Sequence, residues 1–158
     1  MTVTNFILNT DGGSRGNPGP SACGFFLKSD DGEVLSGGWF LGDRTNNHAE
    51  YCALIWGLEN AIERGAKHLE VFADSELMVK QMRGEYRVKN PGLKVLNTRA
   101  KRLAACFESF TIAHVYREGN KQADARANEA MDARGPVGTY LVGFDEAQQD
   151  ACGTASLL

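Results

Sequence analysis

No stretch of this chain approaches the roughly 18 uninterrupted apolar residues that a helical membrane span requires, so no transmembrane segment is expected. It also lacks the basic n-region and apolar h-region of a secretory leader; the N-terminus runs straight into a strand-like segment, and a cytoplasmic location is expected. Cysteine is sparse: Cys23, Cys52, Cys106 and Cys152 are scattered, with no C-x-x-C pair to suggest zinc or a redox motif. Three of them sit in apolar segments and read as buried thiols, whereas Cys152 lies in a polar tail and is the one candidate for reactivity. Excess positive charge is missing too, with 17 Lys and Arg against 20 Asp and Glu, a net charge of −3. That is weak evidence against a polyanionic partner, because net charge is not charge distribution. A site built of carboxylates and bound cations lowers the formal charge of a protein that still binds a polyanion.

What is present fits one ordinary domain of 158 residues, with 42% hydrophobic and 23% charged side chains, long enough to build a core without staples. Residues 4–10 alternate Phe6 and Leu8 against Ile7 and predict a strand ending at Asp11. Residues 12–20 hold too much Gly and Pro for regular structure. Residues 21–28 and 33–41 are strand-like, and Asp30-Asp31-Gly32 between them is a hairpin signal. Residues 46–64 carry the clearest helical pattern: Leu54, Leu58, Ala61 and Ile62 recur at helical spacing, and Tyr51, Ile55 and Trp56 widen the stripe. A helix this apolar is expected to be buried around much of its circumference, and Gly65 ends it. A short strand over 69–73 runs into Asp74-Ser75, a plausible cap for a helix over 76–83. A basic loop over 84–92, a helix over 93–107 and a fifth strand over 110–116 follow. An alanine-rich helix over 121–133 is stopped by Gly135-Pro136. The order β-β-β-α-β-α-α-β-α predicts an α/β fold with a mixed sheet covered by helices. Beyond residue 137 the pattern weakens: residues 140–144 either add a strand or pack on the body, and 145–158 read as a polar tail. No internal repeat and no second domain are visible.

Four acids stand where a plain surface role is least natural. Asp11 ends the first strand, Glu50 shares the apolar stripe of Leu54 and Leu58 in what reads as the first turn of its helix, Asp74 ends the fourth strand, and Asp124 opens the last helix. Each has a bland reading. Asp74 is a helix cap, Asp11 a turn former, and Asp124 a first-turn acid facing the helix dipole. Glu50 is harder to dismiss, since an unpaired carboxylate on a core-facing stripe is costly. If the first and fourth strands are neighbours, Asp11 and Asp74 emerge at the same sheet end, where open α/β sheets place ligands. Clustered carboxylates repel, and divalent cations resolve that conflict. Hard oxygen donors with no nearby His or Cys favour Mg²⁺ or Mn²⁺ over zinc. Such a cage, holding two metals about 3.5–4 Å apart, suits in-line phosphodiester hydrolysis.

Four segments carry a resemblance: Asp11-Gly12-Gly13-Ser14-Arg15-Gly16-Asn17-Pro18-Gly19-Pro20, then Thr45-Asn46-Asn47-His48-Ala49-Glu50-Tyr51, then Asp74-Ser75, then Arg117-Glu118-Gly119-Asn120-Lys121-Gln122-Ala123-Asp124. In this order and spacing the chain resembles type 1 ribonuclease H, over roughly residues 4–134. The resemblance implies a five-stranded mixed sheet flanked by helices, with residues 1–136 as the catalytic domain and 137–158 as an extension, one added strand at most plus a flexible tail. It implies a metal site of Asp11, Glu50, Asp74 and Asp124 holding two Mg²⁺, with Mn²⁺ able to substitute. One ion activates the attacking water and the other stabilises the leaving 3′ oxygen. The implied activity is endonucleolytic cleavage of the RNA strand of RNA–DNA hybrids, leaving 5′-phosphate and 3′-hydroxyl ends. The implied partner is the hybrid, with no membrane, and the chain is expected to act as a monomer.

Telling RNA from DNA requires reading 2′-hydroxyls across a wide, shallow minor groove. Asn17, Asn46 and Asn47 suit that task, since amides donate and accept without demanding a base; their bland readings are turn propensity and helix capping. Gly12 and Gly16 let backbone approach the strand, and Thr45 matches a position that contacts a DNA-strand phosphate in relatives. Two departures from the family pattern stand out. Glu76 replaces the Gln or Asn often found two positions after the third acid. Residues 116–124 are short and contain no His, so the chain resembles the compact branch without a histidine loop or hybrid-binding module, and Glu118 is the candidate for the product-release role. His68 and His114 fall in strands and read as structural. Arg83, Arg87, Lys89, Lys94, Arg99, Lys101 and Arg102 form either a solvated helix face or a DNA-binding surface. Two rivals remain: a junction-resolving nuclease of the same broad superfamily, and a non-catalytic hybrid-binding domain.

Overall fold

A computed structural model describes residues 5–145. Strands β1 (Asn5–Ser14), β2 (Gly19–Ser29) and β3 (Val34–Arg44) form an antiparallel meander. Helix α1 (Asn46–Arg64) leads to β4 (His68–Ala73), which pairs parallel with β1, and β5 (Ser109–His114) pairs parallel with β4. Between β4 and β5 run α2 (Glu76–Met82) and α3 (Pro91–Ala104); α4 (Lys121–Ala133) follows β5. A sixth strand, β6 (Val137–Thr139), adds antiparallel to β3, giving the order β5-β4-β1-β2-β3-β6. The expected five strands are therefore six. The extra strand is the three residues just past Pro136, too short to leave a periodic signal. Residues 140–144 take the packing alternative.

That packing has a clear cause. Trp56 of α1 is fully buried, and the rings of Phe25, Tyr140 and Trp39 meet it edge-on at 4.8, 5.2 and 5.6 Å. Asn60, one turn along, is also fully buried. Its Nδ2 donates to the carbonyls of Trp56 and Val142, and its Oδ1 accepts from the Leu141 and Val142 amides at 2.8 and 3.1 Å. Trp56 Nε1 donates to the same Val142 carbonyl at 2.6 Å. A buried amide with its bonding capacity met inside the protein is stabilising where an unmet one is costly. The described part of the extension belongs to the same body as the rest.

Helix α1 keeps its predicted bounds. Thr45 caps it, accepting from the His48 amide, and Gly65 closes it at φ 91° with its N–H on the Ala61 and Ile62 carbonyls. Every residue from 49 to 61 is buried, as the broad apolar stripe implies. Fully burying side chains such as Leu54, Leu58 and Trp56 contributes about 1.5–3 kcal/mol each. One face of the sheet carries α1, with Leu8 packed against Gly57. The opposite face carries α4, against which Gly24 and Gly38 are set. A β-carbon on Gly24 would lie 2.5 Å from the Ala123 carbonyl oxygen, and one on Gly38 2.1 Å from that of Arg126. The alanines of α4 have the same explanation: Ala123, Ala127 and Ala130 are buried because the helix backbone lies almost on the sheet.

The first turn is smaller than its Gly and Pro content suggests. β1 does not end at Asp11 but continues through Ser14, pairing Asp11 with Gly24, Gly12 with Cys23 and Gly13 with Ala22. Only residues 15–18 lie outside the strands, with Gly16 at φ 99°. Cys23 and Cys52 are buried free thiols as expected. Cys106 is half-buried and disulfide-bonded, so the thiol reading fails there; Cys152 and the expected tail beyond residue 145 lie outside the described residues. No helix among the described residues is long and apolar enough to cross a membrane.

Candidate active site

Strand alternation and the parallel β1–β4 pairing decide which acids meet. Asn9 and Asp11 of β1 face α4, and Thr10 pairs across to Ala73, the residue before Asp74. Asp74 therefore leaves β4 beside Asp11. Glu50 is the fifth residue of α1 and so lies in its second turn, not in the first turn where the sequence reading put it. Its carboxylate turns back to the sheet and accepts a short hydrogen bond from the Gly12 amide. This close approach needs a glycine: a β-carbon on Gly12 would lie 2.3 Å from the Ala49 carbonyl.

Carboxylate oxygens of Asp11, Glu50 and Asp74 lie within 4.8 Å of one another. Asp124 adjoins them through a hydrogen bond to Asp11 but stands outside that tightest group, and its Oδ2 accepts from Asn128 Nδ2 at 3.3 Å. Asp74 is not the cap of α2. Ser75 takes that role, accepting from the Met78 amide at 3.2 Å, which leaves the Asp74 carboxylate to the site. A buried relay steadies α2 from below: Tyr51 Oη donates to Gln81 Oε1 at 2.7 Å and accepts from Asn97 Nδ2 at 3.1 Å.

The electrostatics follow from crowding. Asp11, 8% exposed, has its pKa pushed up to about 9, first by burial, then by its hydrogen bond to Asp124 and the charges of Asp74 and Asp124. Burial and the charges of Asp74 and Asp11 raise Glu50 as well, against the lowering effect of the Gly12 amide. Without a cation, these groups hold protons that the unfolded chain releases near its ordinary pKa of 3.8 for Asp. The folded state binds more protons, so metal-free stability falls as pH rises from about 4 toward 9. Thermal melts in a chelator should therefore drop by several degrees between pH 5.5 and 8.5. The Asp11→Asn variant should flatten that slope. An unchanged slope in the variant would show that Asp11 is not the strained group.

The predicted substrate residues are gathered at the rim. Asn17 Oδ1 accepts from the Asn46 amide at 3.0 Å, and Asn46 Oδ1 accepts from the Ser14 amide at 2.8 Å. Both amides thus turn their oxygens inward and leave their NH₂ groups for donation. Thr45, Asn46 and Asn47 are exposed, and Thr45 rather than either asparagine is the cap. A depression of about 320 Å³ runs over Asp11, Asp74 and Asp124, lined also by Gly12, Arg15, Asn46 and Arg117. Glu118 is exposed on a 3-10 turn (Arg117–Gly119) and does not line it. The seven basic residues do not share one environment. Arg99 is drawn inward to the buried Glu59 at 3.0 Å, while Arg87, Lys94 and Lys101 line a separate depression with Tyr86. His68 bonds Ser109 across the β4–β5 edge, a structural role as expected.

Sequence reasoning missed Asn120. It is fully buried, yet its side chain makes no cap bond to the helix it precedes. Instead Nδ2 donates to the Thr10 carbonyl at 2.8 Å and Oδ1 accepts from Asn9 Nδ2 at 3.1 Å. It ties the start of α4, and with it Asp124, to the strand that carries Asp11. An Asn just before a helix signals a cap and nothing more.

Residues 9–130 match the family model described as Reverse transcriptase-like. The chain is 46% identical over 123 residues to Ribonuclease HI of Halobacterium salinarum, covering 77% of this chain and 62% of that one. The chain belongs to the type 1 ribonuclease H family. The crystal structure of RNase H1 from the same archaeon superposes with a TM-score of 0.78 at 44% identity, covering 82% of this chain and 98% of that one. LC11-RNase H1, solved in complex with an RNA/DNA hybrid, superposes at 0.76 with 38% identity over 82% of this chain and 98% of that one. Among curated relatives the chain spans 62% of the first and 35% of the next. The six-stranded mixed sheet and four helices of this chain therefore carry a ribonuclease H fold.

Proposed function

We propose that this chain hydrolyses the RNA strand of RNA–DNA hybrids, with Asp11, Glu50, Asp74 and Asp124 holding two Mg²⁺, for which Mn²⁺ can substitute. The carrying observation is the convergence of three carboxylates from β1, α1 and the end of β4 within 4.8 Å. The donor set fits such ions: hard oxygens only, and crowding that a divalent cation relieves. When bound, the ions supply Lewis-acid stabilisation of phosphate charge and a water acidic enough to attack at neutral pH.

The chain's own residues do the rest. Gly12 and Glu50 hold β1 and α1 in contact, so the acids are positioned by backbone. Asn17, Asn46 and Asn47, with Thr45, present donors along the rim toward 2′-hydroxyls and phosphates of the minor groove. Arg15 and Arg117 place positive charge beside the carboxylates, where a phosphodiester must sit. Glu118, exposed on the 3-10 turn next to Arg117, is the candidate for the product-release role. Monomeric action in the cytoplasm is part of the same proposal.

The test is incubation of end-labelled RNA–DNA hybrid, duplex DNA and a four-way junction, with and without Mg²⁺. Cleavage of the hybrid alone, only with Mg²⁺, and with 5′-phosphate and 3′-hydroxyl ends is expected. Cutting of the junction in preference to the hybrid would favour the resolvase reading. Binding of the hybrid without cleavage would leave a non-catalytic binding domain.

A further inference from the structure

Tyr116 is 77% exposed, the most exposed large apolar side chain among the described residues. Exposed rings are common singly, but this one is held from both sides at the edge of the acidic pocket. On its N-terminal side, His114 pairs with Ala73 in the β4–β5 ladder, and the Val115 amide donates to the Ala73 carbonyl at 2.9 Å. Ala73 is the residue before Asp74. On its C-terminal side, the Gly119 amide donates to the Tyr116 carbonyl at 2.9 Å, closing the turn whose first residue, Arg117, lines the carboxylate pocket. The His114 ring meets Tyr116 edge-on, 5.1 Å away at 76°, and limits where the phenol ring turns. A ring with its backbone braced on both flanks loses little entropy on making a contact.

From this arrangement we propose that Tyr116 is a substrate-positioning residue whose ring packs on a sugar of the cut strand, next to the scissile phosphate; this rests on the hybrid-cleaving reading above. The chemistry selects the sugar. Stacking on a base requires an unpaired base, whereas a paired hybrid presents sugar edges and 2′-hydroxyls in its shallow minor groove. An aromatic ring offers an apolar face to the C–H surface of a sugar and keeps its polar tip in water. The contact lies beyond the acids and takes no part in bond breaking.

Steady-state cleavage of a short labelled hybrid in Mg²⁺ should separate Tyr116→Ala from Tyr116→Phe. The alanine variant is expected to raise KM about 10-fold, equivalent to about 1.4 kcal/mol, with kcat within about two-fold and an unchanged melting temperature. The phenylalanine variant, which keeps the ring, should match the wild type. An unaltered KM in Tyr116→Ala, a fall in kcat alone, or a phenylalanine variant as weak as alanine would each overturn the proposal. A wild type that leaves the hybrid intact defeats the hybrid-cleaving reading, and this inference with it. A wild type that cuts while Tyr116→Ala keeps its KM defeats this inference alone.

Discussion

Replacing Asp74 by Asn should lower hybrid cleavage by about 10³-fold or more, a loss of about 4 kcal/mol of transition-state stabilisation, while leaving the fold at least as stable. The two halves of that expectation have separate causes. Asp74 provides one of the three oxygens in the tight carboxylate group, and an amide there keeps the shape but loses a charge the cations need. Stability is spared because Ser75, not Asp74, caps α2. It should even rise in a chelator, since the Asp74 charge is one of the causes pushing both Asp11 and Glu50 upward. Single-turnover cleavage and thermal melts of the same preparation check both halves. Turnover close to wild type would remove Asp74 from the site altogether.

The second large effect is expected at Gly12. A methyl group there would meet the Ala49 carbonyl carbon and oxygen at 2.3 Å and the Glu50 nitrogen at 2.5 Å. These are backbone atoms, so no side chain can rotate away; β1 and the first turns of α1 must separate. The Gly12 amide would then lose its hold on the Glu50 carboxylate. Overpacking of this kind costs about 1–3 kcal/mol, or several degrees of melting temperature in a domain of this size. Displacement of the acids by about 1 Å should cost on the order of 100-fold in turnover. Gly13 supplies the control, because its added carbon would meet nothing within 4 Å. Gly13→Ala should therefore keep its melting temperature, and equal melting temperatures for the two variants would refute the packing argument.

Parts of this molecule are legible from the sequence because their signals are local. Helix α1 has a Thr cap, a Gly stop and an unbroken apolar stripe, and its bounds follow. The four acids are legible through their motif segments, and the parallel β1–β4 pairing brings Asp11 and Asp74 to one end as anticipated. Strand ends are less so. Residues 12–14 look like a loop because glycine has no strand preference of its own, yet pairing with β2 and contact with α1 hold them extended. Strand β6 is three residues long and exists only because β3 offers an edge. Asn60 and Asn120 are invisible for a different reason. Each bonds backbone some 80 to 110 residues away, at Leu141 and Val142 or at Thr10, and no local window contains both partners. The basic run misleads in the same way, since the partner that takes Arg99 inward, Glu59, lies 40 residues earlier.

The Asn60 clamp bears on how the protein is made. Its amide oxygen and Trp56 Nε1 are satisfied by residues 141 and 142, whereas all four acids are in place by residue 124. A nascent chain that has emerged only as far as α4 therefore carries all four acids but lacks these partners for Asn60 and Trp56. Until residues 141 and 142 follow, the Asn60 amide oxygen and Trp56 Nε1 must be hydrated, and desolvating them is the step that seats this segment on α1.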